Sequence, residues 1–252
     1  MDKRQNPIAV FDSGAGGISV LKELVHLMPG ENYIYYGDSL NAPYGTKPTE
    51  EVRRLTLENA AMLIEEGAKE VVIACNTATS AAIANLREMY PSVPMIGLEP
   101  AIKPAALECK GGKVLVMATE LTLREKKFLC LLEKYKGTAE IISLPCPELV
   151  EFAENGITEG KELDNYLNSI LAPYTDTVKG IVLGCTHFPL LRNAIQKAAG
   201  KIKLYDGGIG AAKEALHRLS ETNLVNNASS GSIVFKSSLE GKEELYKKLF
   251  YN

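Results

Sequence analysis

The sequence predicts an α/β protein made of two related units, each a mostly parallel sheet flanked by helices. Three observations carry that expectation. Short apolar runs ending in Gly, Asp or Cys recur along the chain, as strands buried on both faces do. Between them, apolar residues fall at three- and four-residue spacing, the period of an amphipathic helix. The first half also repeats in the second. "IAVFDSG" followed by "VVIACNT" matches, in order and spacing, "VLVMATELT" followed by "GIVLGCTHFP".

In chain order, "IAVFD" (8–12) is a strand, "GGISVLKELVHLM" a helix and "YIYYGD" (33–38) the next strand. "NAPYGTKP" (41–48) is a polar, turn-rich loop in which a backbone N–H at Tyr44 or Gly45 is placed to meet a ligand carboxylate. "PTEEVRRLTLENAAMLIEEG" is a helix and "VVIAC" (71–75) a strand. "PMIGLEPAIKPA", rich in Pro and Gly, is expected to be the first crossing between units. "KVLVMA" (113–118), "AEIISL" (139–144), "GIVLGC" (180–185) and "KIKLYD" (201–206) are further buried strands, and "ELTLREKKFLCLLEKY" is a helix. "LYDGGIG" is the expected return crossing, and "NNASSGS" a surface loop before a last strand, "SIVFKSS", and a final helix. Ligands of such sheets gather at the carboxyl ends of the strands, where Cys75 falls.

Composition narrows the function classes. The chain has 252 residues, 46% hydrophobic and 23% charged, enough for a substantial core. Its net charge is -3 with Lys and Arg scattered, so no basic stripe points to nucleic acid or an anionic membrane. No apolar run approaches the roughly 20 residues of a membrane span, and "MDKRQNPIAVFDSG" lacks the apolar core of a signal peptide, so a cytoplasmic location is expected. Five cysteines are too few for a disulfide scaffold. No pair has CxxC spacing and the three histidines lie far apart, so no metal site is expected.

Two kinds of constellation carry chemistry. In "FDSGAGGIS", between a strand and a helix, Gly14, Gly16 and Gly17 let backbone N–H groups approach an anion, with Asp12 and Ser13 facing the same crevice. As a dinucleotide fingerprint the match is partial, because Ser19 stands where a small third Gly belongs; Asp38 lies about 20 residues on, where a ribose-binding acid would sit. The other kind is "ACNTAT" and "GCTHFP". Each puts a thiol at a strand end and a helix start, where the dipole and N–H donors lower a thiol pKa. Each cysteine alone reads more readily as a small buried hydrophobe than as a reactive thiol. Two at matching positions favour chemistry, and a neighbouring charge is then needed: His187 for Cys185, Asp12 as the nearest candidate for Cys75. Cys109 at a helix end, Cys130 on an apolar helical face and Cys146 between prolines read as packing, and His26 and His217 as structural or solvated.

"FDSGAGGISV", "GDSLNAPYG", "ACNTAT", "GLEPA" and "GCTHFP", in this order, resemble the glutamate racemases, cofactor-independent enzymes that supply D-glutamate for bacterial peptidoglycan. The resemblance runs from about residue 8 to 210. Aspartate racemase is the near neighbour, and a non-catalytic amino-acid or nucleotide binder is the alternative of another class. The resemblance implies an active site in a cleft between two domains, residues 1–97 with 208–252 and residues 98–207. It implies Cys75 and Cys185 as the catalytic pair, Cys75 acting on D-glutamate and Cys185 on L-glutamate. Asp12, Ser13, Pro43, Tyr44, Gly45, Asn76, Thr77, Thr186 and His187 would line the substrate site, and Glu154 would assist on the Cys185 side. Thr119 and Thr122 would join them from "ATELT", which departs from the family pattern at Glu120 and Leu121. Family members form different dimers, so a homodimer of open geometry is included in the expectation.

The reaction suits two thiols. Inverting a stereocentre needs a proton removed from one face and another delivered to the opposite face, hence one acid/base group per face. No lysine motif for a pyridoxal Schiff base appears, so no cofactor is expected and the protein must stabilise the carbanion itself.

Overall fold

The computed structural model describes residues 2–251, the Lys127 side chain excepted. Its strands are β1 (Ile8–Asp12), β2 (Tyr33–Gly37), β3 (Glu70–Ile73), β4 (Met95–Gly97), β5 (Lys113–Ala118), β6 (Glu140–Pro145), β7 (Val178–Leu183), β8 (Lys203–Asp206) and β9 (Ile233–Ser237). The helices are α1 (Ile18–Leu27), α2 (Thr49–Glu65), α3 (Asn76–Met89), α4 (Ile102–Glu108), α5 (Glu120–Arg124) and α6 (Lys126–Tyr135). They continue with α7 (Glu148–Glu154), α8 (Lys161–Leu171), α9 (Arg192–Ala199), α10 (Gly208–Glu221) and α11 (Lys242–Tyr251).

Every ladder is parallel. One sheet has the order β4-β3-β1-β2-β9 and the other β6-β5-β7-β8. Read backwards, β8-β7-β5-β6 reproduces β4-β3-β1-β2, so the internal repeat seen in the sequence is a repeat of strand order. Cys75 follows β3 and Cys185 follows β7, which are equivalent strands.

The strands are continuous apolar runs because helices cover both faces of each sheet. Side chains alternate between the two sides. Ile8 and Val10 pack with Leu21 and Leu24 of α1 and Ala212 and Ala215 of α10, whereas Ala9 and Phe11 pack with Val52 and Leu63 of α2 and Leu86 of α3. In the second sheet Leu115 and Met117 face Leu149, Leu167 and Ile195, and Val114 and Val116 face Ile102 and Phe128.

Four expectations are corrected in detail. "PMIGLEPA" begins as strand, since Met95, Ile96 and Gly97 pair with β3 before the chain crosses; Gly97 is required there, because a Cβ would sit 2.6 Å from Thr79 Cγ2. The helical pattern over 120–135 is two helices, broken where Glu125 turns extended (φ -67°, ψ 138°) and accepts a 2.7 Å bond from Thr49 Oγ1. β6 is an edge strand, paired among the described residues with β5 alone, and is half exposed rather than buried. The runs ending in Cys stop two residues early, at Ile73 and Leu183, which frees both thiols from the ladder. Among the described residues no helix is long and apolar enough to cross a membrane.

Candidate active site

Cys75 sits in extended backbone (φ -128°, ψ 120°) as the cap of α3; its Sγ accepts a 3.5 Å bond from the Ala78 N–H and lies 3.6 Å from Ser13 Oγ. It is 5% exposed. Burial pushes its thiol up to about 12, the charge of Asp12 adds to the rise, and the Ala78 and Ser13 bonds only partly offset it. Asp12 therefore acts opposite to the stabilising neighbour the sequence suggested. A carboxylate beside a thiol disfavours the thiolate. Asp12 is itself fully buried, with Oδ1 accepting from the Gly14 N–H at 2.8 Å and Oδ2 from Thr186 Oγ1 at 3.0 Å, and burial raises its own carboxyl.

The Cys185 side is built differently. Cys185 Sγ lies 3.5 Å from His187 Nδ1, and His187 Nε2 lies 2.6 Å from Glu154 Oε1. Burial works against an imidazolium here, but the bonds to Cys185 and Glu154 and their negative charge outweigh it, lifting His187 well above the ordinary histidine value. Burial would likewise raise Glu154, yet the His187 bond and charge, the Ala15 N–H (2.7 Å) and the Lys242 charge bring its carboxyl below the usual range. The group beside Cys185 is thus a cation held by a carboxylate. The chain after Cys185 does not enter an α-helix directly: Phe188–Leu191 form a 3-10 turn with Pro189 in its first positions, then α9 begins.

The glycine loop serves another purpose than an external anion. A Cβ on Gly16 would lie 2.6 Å from His187 Nδ1 and Thr186 Oγ1 and 2.8 Å from the His187 backbone N; one on Gly14 would fall on the Glu154 carboxylate. The anion met by the loop's Ala15 N–H is Glu154 of the protein itself. Thr186, His187 and Glu154 thus occupy the approach that a dinucleotide pyrophosphate needs.

The remaining predicted residues converge from three segments. Thr77 Oγ1 lies 3.3 Å from Thr119 Oγ1 and 3.1 Å from Thr122 Oγ1, and Thr119 and Thr122 are bonded at 3.0 Å. The 3-10 turn Tyr44–Thr46, capped by Pro43, leans on this cluster; a Cβ on Gly45 would sit 2.8 Å from Thr119 Cβ. Tyr44 is buried in the same core cluster as Cys75, and its hydroxyl donates to Asp38 Oδ2 at 2.6 Å; the close approach to Thr119 is made by its neighbour Gly45. Asn76 is buried with an amide oxygen that has no partner among the described residues, an acceptor suited to a polar ligand.

Several supporting residues carried no signal of their own in the sequence. Asn59, in the middle of α2, donates to Asp38 (3.2 Å), the same carboxylate that Asn41 and Tyr44 bind. Tyr35 donates to the Gly14 carbonyl at 2.6 Å, and Ser19 to the Thr186 carbonyl at 3.0 Å. Only alternation marks Tyr35 as inward-facing, and nothing in sequence tells it from a packing tyrosine. Of the other cysteines, Cys109 and Cys146 are buried, Cys146 with its thiol pushed up to about 12 by burial. Cys130 is exposed, because α6 turns its apolar face elsewhere.

Comparison with known proteins agrees with this geometry. The family model described as Asp/Glu/Hydantoin racemase matches residues 9–215. The chain is 50% identical, over 99% of its length and 98% of the relative's, to the glutamate racemase of Clostridium botulinum strain Alaska E43. Among solved structures it is similar to Escherichia coli glutamate racemase in complex with L-glutamate and the activator UDP-MurNAc-Ala, with TM-score 0.85 and 30% identity over 98% of this chain and 94% of that one. It is also similar to the Francisella tularensis glutamate racemase in complex with D-glutamate, with TM-score 0.84 and 28% identity over 99% and 95% of the two chains. Paired sheets of repeated strand order, a cysteine after each equivalent strand, the family model over residues 9–215 and 50% identity to a relative over 99% of the chain lead to one statement: the chain belongs to the Asp/Glu/Hydantoin racemase family.

Proposed function

We propose that this protein interconverts L- and D-glutamate, with Cys75 and Cys185 as the two proton-transferring groups and no cofactor. The observation that carries the reading is the placement of the two thiols at equivalent strand ends of mirrored sheets, tied across by the Thr186–Asp12 and Ala15–Glu154 bonds. The high identity to proteins named glutamate racemase supports glutamate as the substrate. In this reading residues 1–97 with 208–252 form one domain and 98–207 the other, and the substrate lies between them. The product would serve peptidoglycan synthesis in the cytoplasm.

The two sides differ at rest in a way that supports a one-thiol, one-thiolate start. Cys75, pushed up to about 12, holds its proton. Cys185 Sγ lies 3.5 Å from the His187 ring, so a negative sulfur formed there during turnover has a countercharge beside it. The resting protein is then ready to take the α-proton of L-glutamate at Cys185 while Cys75 supplies a proton to the other face. The reverse reaction begins with both proton positions exchanged, and Asp12 makes the Cys75 thiolate a stronger base.

Carbanion charge flows onto the substrate carboxylate, which must meet donors. The first turn of α3 leaves N–H groups without intrahelical acceptors, and Thr77, Thr119, Thr122 and the amides of the Tyr44–Thr46 turn lie beside it. One such donor contributes about 3 to 4 kcal/mol to a developing oxyanion. Asn76 Oδ1, buried without a partner among the described residues, is an acceptor and suits the substrate ammonium, not its carboxylate.

The test is circular-dichroism racemisation of glutamate and of aspartate without pyridoxal phosphate, run on the wild type, Cys75→Ser and Cys185→Ser. Glutamate turnover by the wild type and its loss in each variant is the expected result. Near wild-type rates in both single variants would remove the two-thiol mechanism, and preferential turnover of aspartate would change the substrate.

A further inference from the structure

Lys242, the first residue of α11, reaches across to the Cys185 side from the element that packs beside β9. Its Nζ donates to the Glu154 backbone carbonyl at 3.0 Å and lies 3.7 Å from Glu154 Oε2, with the two side chains 26% and 15% exposed. Glu154 ends α7, so its carbonyl is one of those that no intrahelical N–H satisfies. A lysine there also meets the negative end of the helix.

The placement of α11 is itself fixed from the site. Tyr246 is fully buried, its hydroxyl 2.7 Å from Ser39 Oγ and 3.1 Å from Ser237 Oγ, and its ring packs edge-on against Tyr35 at 5.1 Å. Tyr35 in turn binds the Gly14 carbonyl. The charged or titratable groups that face Glu154 are His187, Asp12, Tyr35, Tyr246 and Lys242; on its own helix Lys242 is followed by Glu243 and by Glu244, which pairs with Lys247. Among these neighbours Asp12 adds repulsion to Glu154, and His187 is a partner whose charge belongs to the proton-transfer chain. Lys242 supplies a positive charge from outside that chain.

We propose that Lys242 is a positioning residue for the racemisation: it holds the Glu154 carboxylate aimed at His187 Nε2, and through it sets the imidazole against Cys185. No atom of Lys242 touches the reacting carbon. Its effect travels through Lys242–Glu154, Glu154–His187 and His187–Cys185, so it adjusts one thiol of the pair and leaves Cys75 alone. The inference rests on the proposed racemase reading for its consequence, and on geometry alone for the linkage to Glu154.

The experiment is a carbon-13 NMR titration of the Glu154 side-chain carboxyl, assigned by its absence in Glu154→Gln, on the full-length wild type, Lys242→Met and Lys242→Arg, with steady-state glutamate racemisation of each. In Lys242→Met, Glu154 is expected to titrate about half to one pH unit higher, the size of a partly exposed ion pair. kcat should fall about three- to tenfold at unchanged KM, and Lys242→Arg should restore both. An unmoved Glu154 titration with unchanged kcat, even with a lowered melting temperature, would overturn the proposal and leave Lys242 a structural tie. If the wild type fails to racemise glutamate, the functional reading falls, whereas the carboxyl titration still decides whether Lys242 governs Glu154.

Discussion

Replacing Glu154 by Gln tests the asymmetry between the two thiols. The substitution keeps the shape of the side chain and removes the charge that lies 2.6 Å from His187 Nε2 and accepts the Ala15 N–H. Unit charges about 4 Å apart at an effective dielectric of 20 attract by about 4 kcal/mol, but the bond also costs desolvation. The net worth of a charge-assisted hydrogen bond is about 1.5 to 3 kcal/mol. At about 1.4 kcal/mol per pH unit, His187 should lose its proton about one to two pH units lower in the variant. The Cys185 sulfur then faces a less persistent cation, and kcat/KM should fall about ten- to a hundredfold.

L- and D-glutamate have equal free energies in water, so kcat/KM must fall by one factor in both directions. The side affected shows in isotope effects instead. With transfer at Cys185 slowed, α-deuterated L-glutamate should give a larger primary effect than in the wild type. α-Deuterated D-glutamate should give a smaller one, its cost appearing in heavy water as protonation by Cys185 becomes limiting. Nitrogen-15 NMR of the His187 ring supplies the independent titration. An unmoved His187 titration, or isotope effects that rise equally from both enantiomers, would refute the reasoning.

Two further outcomes follow from buried groups. Glu70 is fully buried, both its carboxyl oxygens lack a hydrogen-bond partner among the described residues, and burial with the nearby Glu31 charge raises it from 4.5 to about 9 against the pull of Lys69. Between those values the folded protein keeps a proton that the unfolded chain releases, so stability falls as pH rises through the window, by up to about 1.4 kcal/mol per pH unit from this group. Urea unfolding of Glu70→Gln should lack that slope and gain on the wild type as pH rises from 5 to 8; parallel curves would show that Glu70 is ionised in the fold. Gly16→Ala puts a methyl carbon 2.6 Å from Thr186 Oγ1 and His187 Nδ1 and 2.8 Å from the His187 backbone N. Displacing the Thr186–His187 turn should cut kcat at least about tenfold, and an alanine variant with wild-type kcat would show that the two halves meet less closely.

The family motifs and the thiols were legible before any coordinates because they are local. A parallel strand covered on both faces must be apolar along its length, so "IAVFD" and "KVLVMA" match their strands residue for residue, and the change of period after each marks the turn where Cys75 and Cys185 sit. The repeat of strand order could be read for the same reason, since each half solves one packing problem with one pattern. Edge position was not legible. "AEIISL" has the composition of an inner strand, and only its place in the sheet exposes it.

Tertiary structure alone decided how the two halves meet. Gly14 and Gly16 read as a cradle for an anion, but which anion depends on Glu154 arriving from a helix, 139 positions after the Ala15 it binds. The sign of Asp12's influence on Cys75, the inward turn of Tyr44 toward Asp38 and Asn59, and the reach of Lys242 to Glu154 are likewise set by distance and burial. Electrostatic energy depends on separation in space and on the solvent excluded between charges. Neither quantity is written in the order of residues.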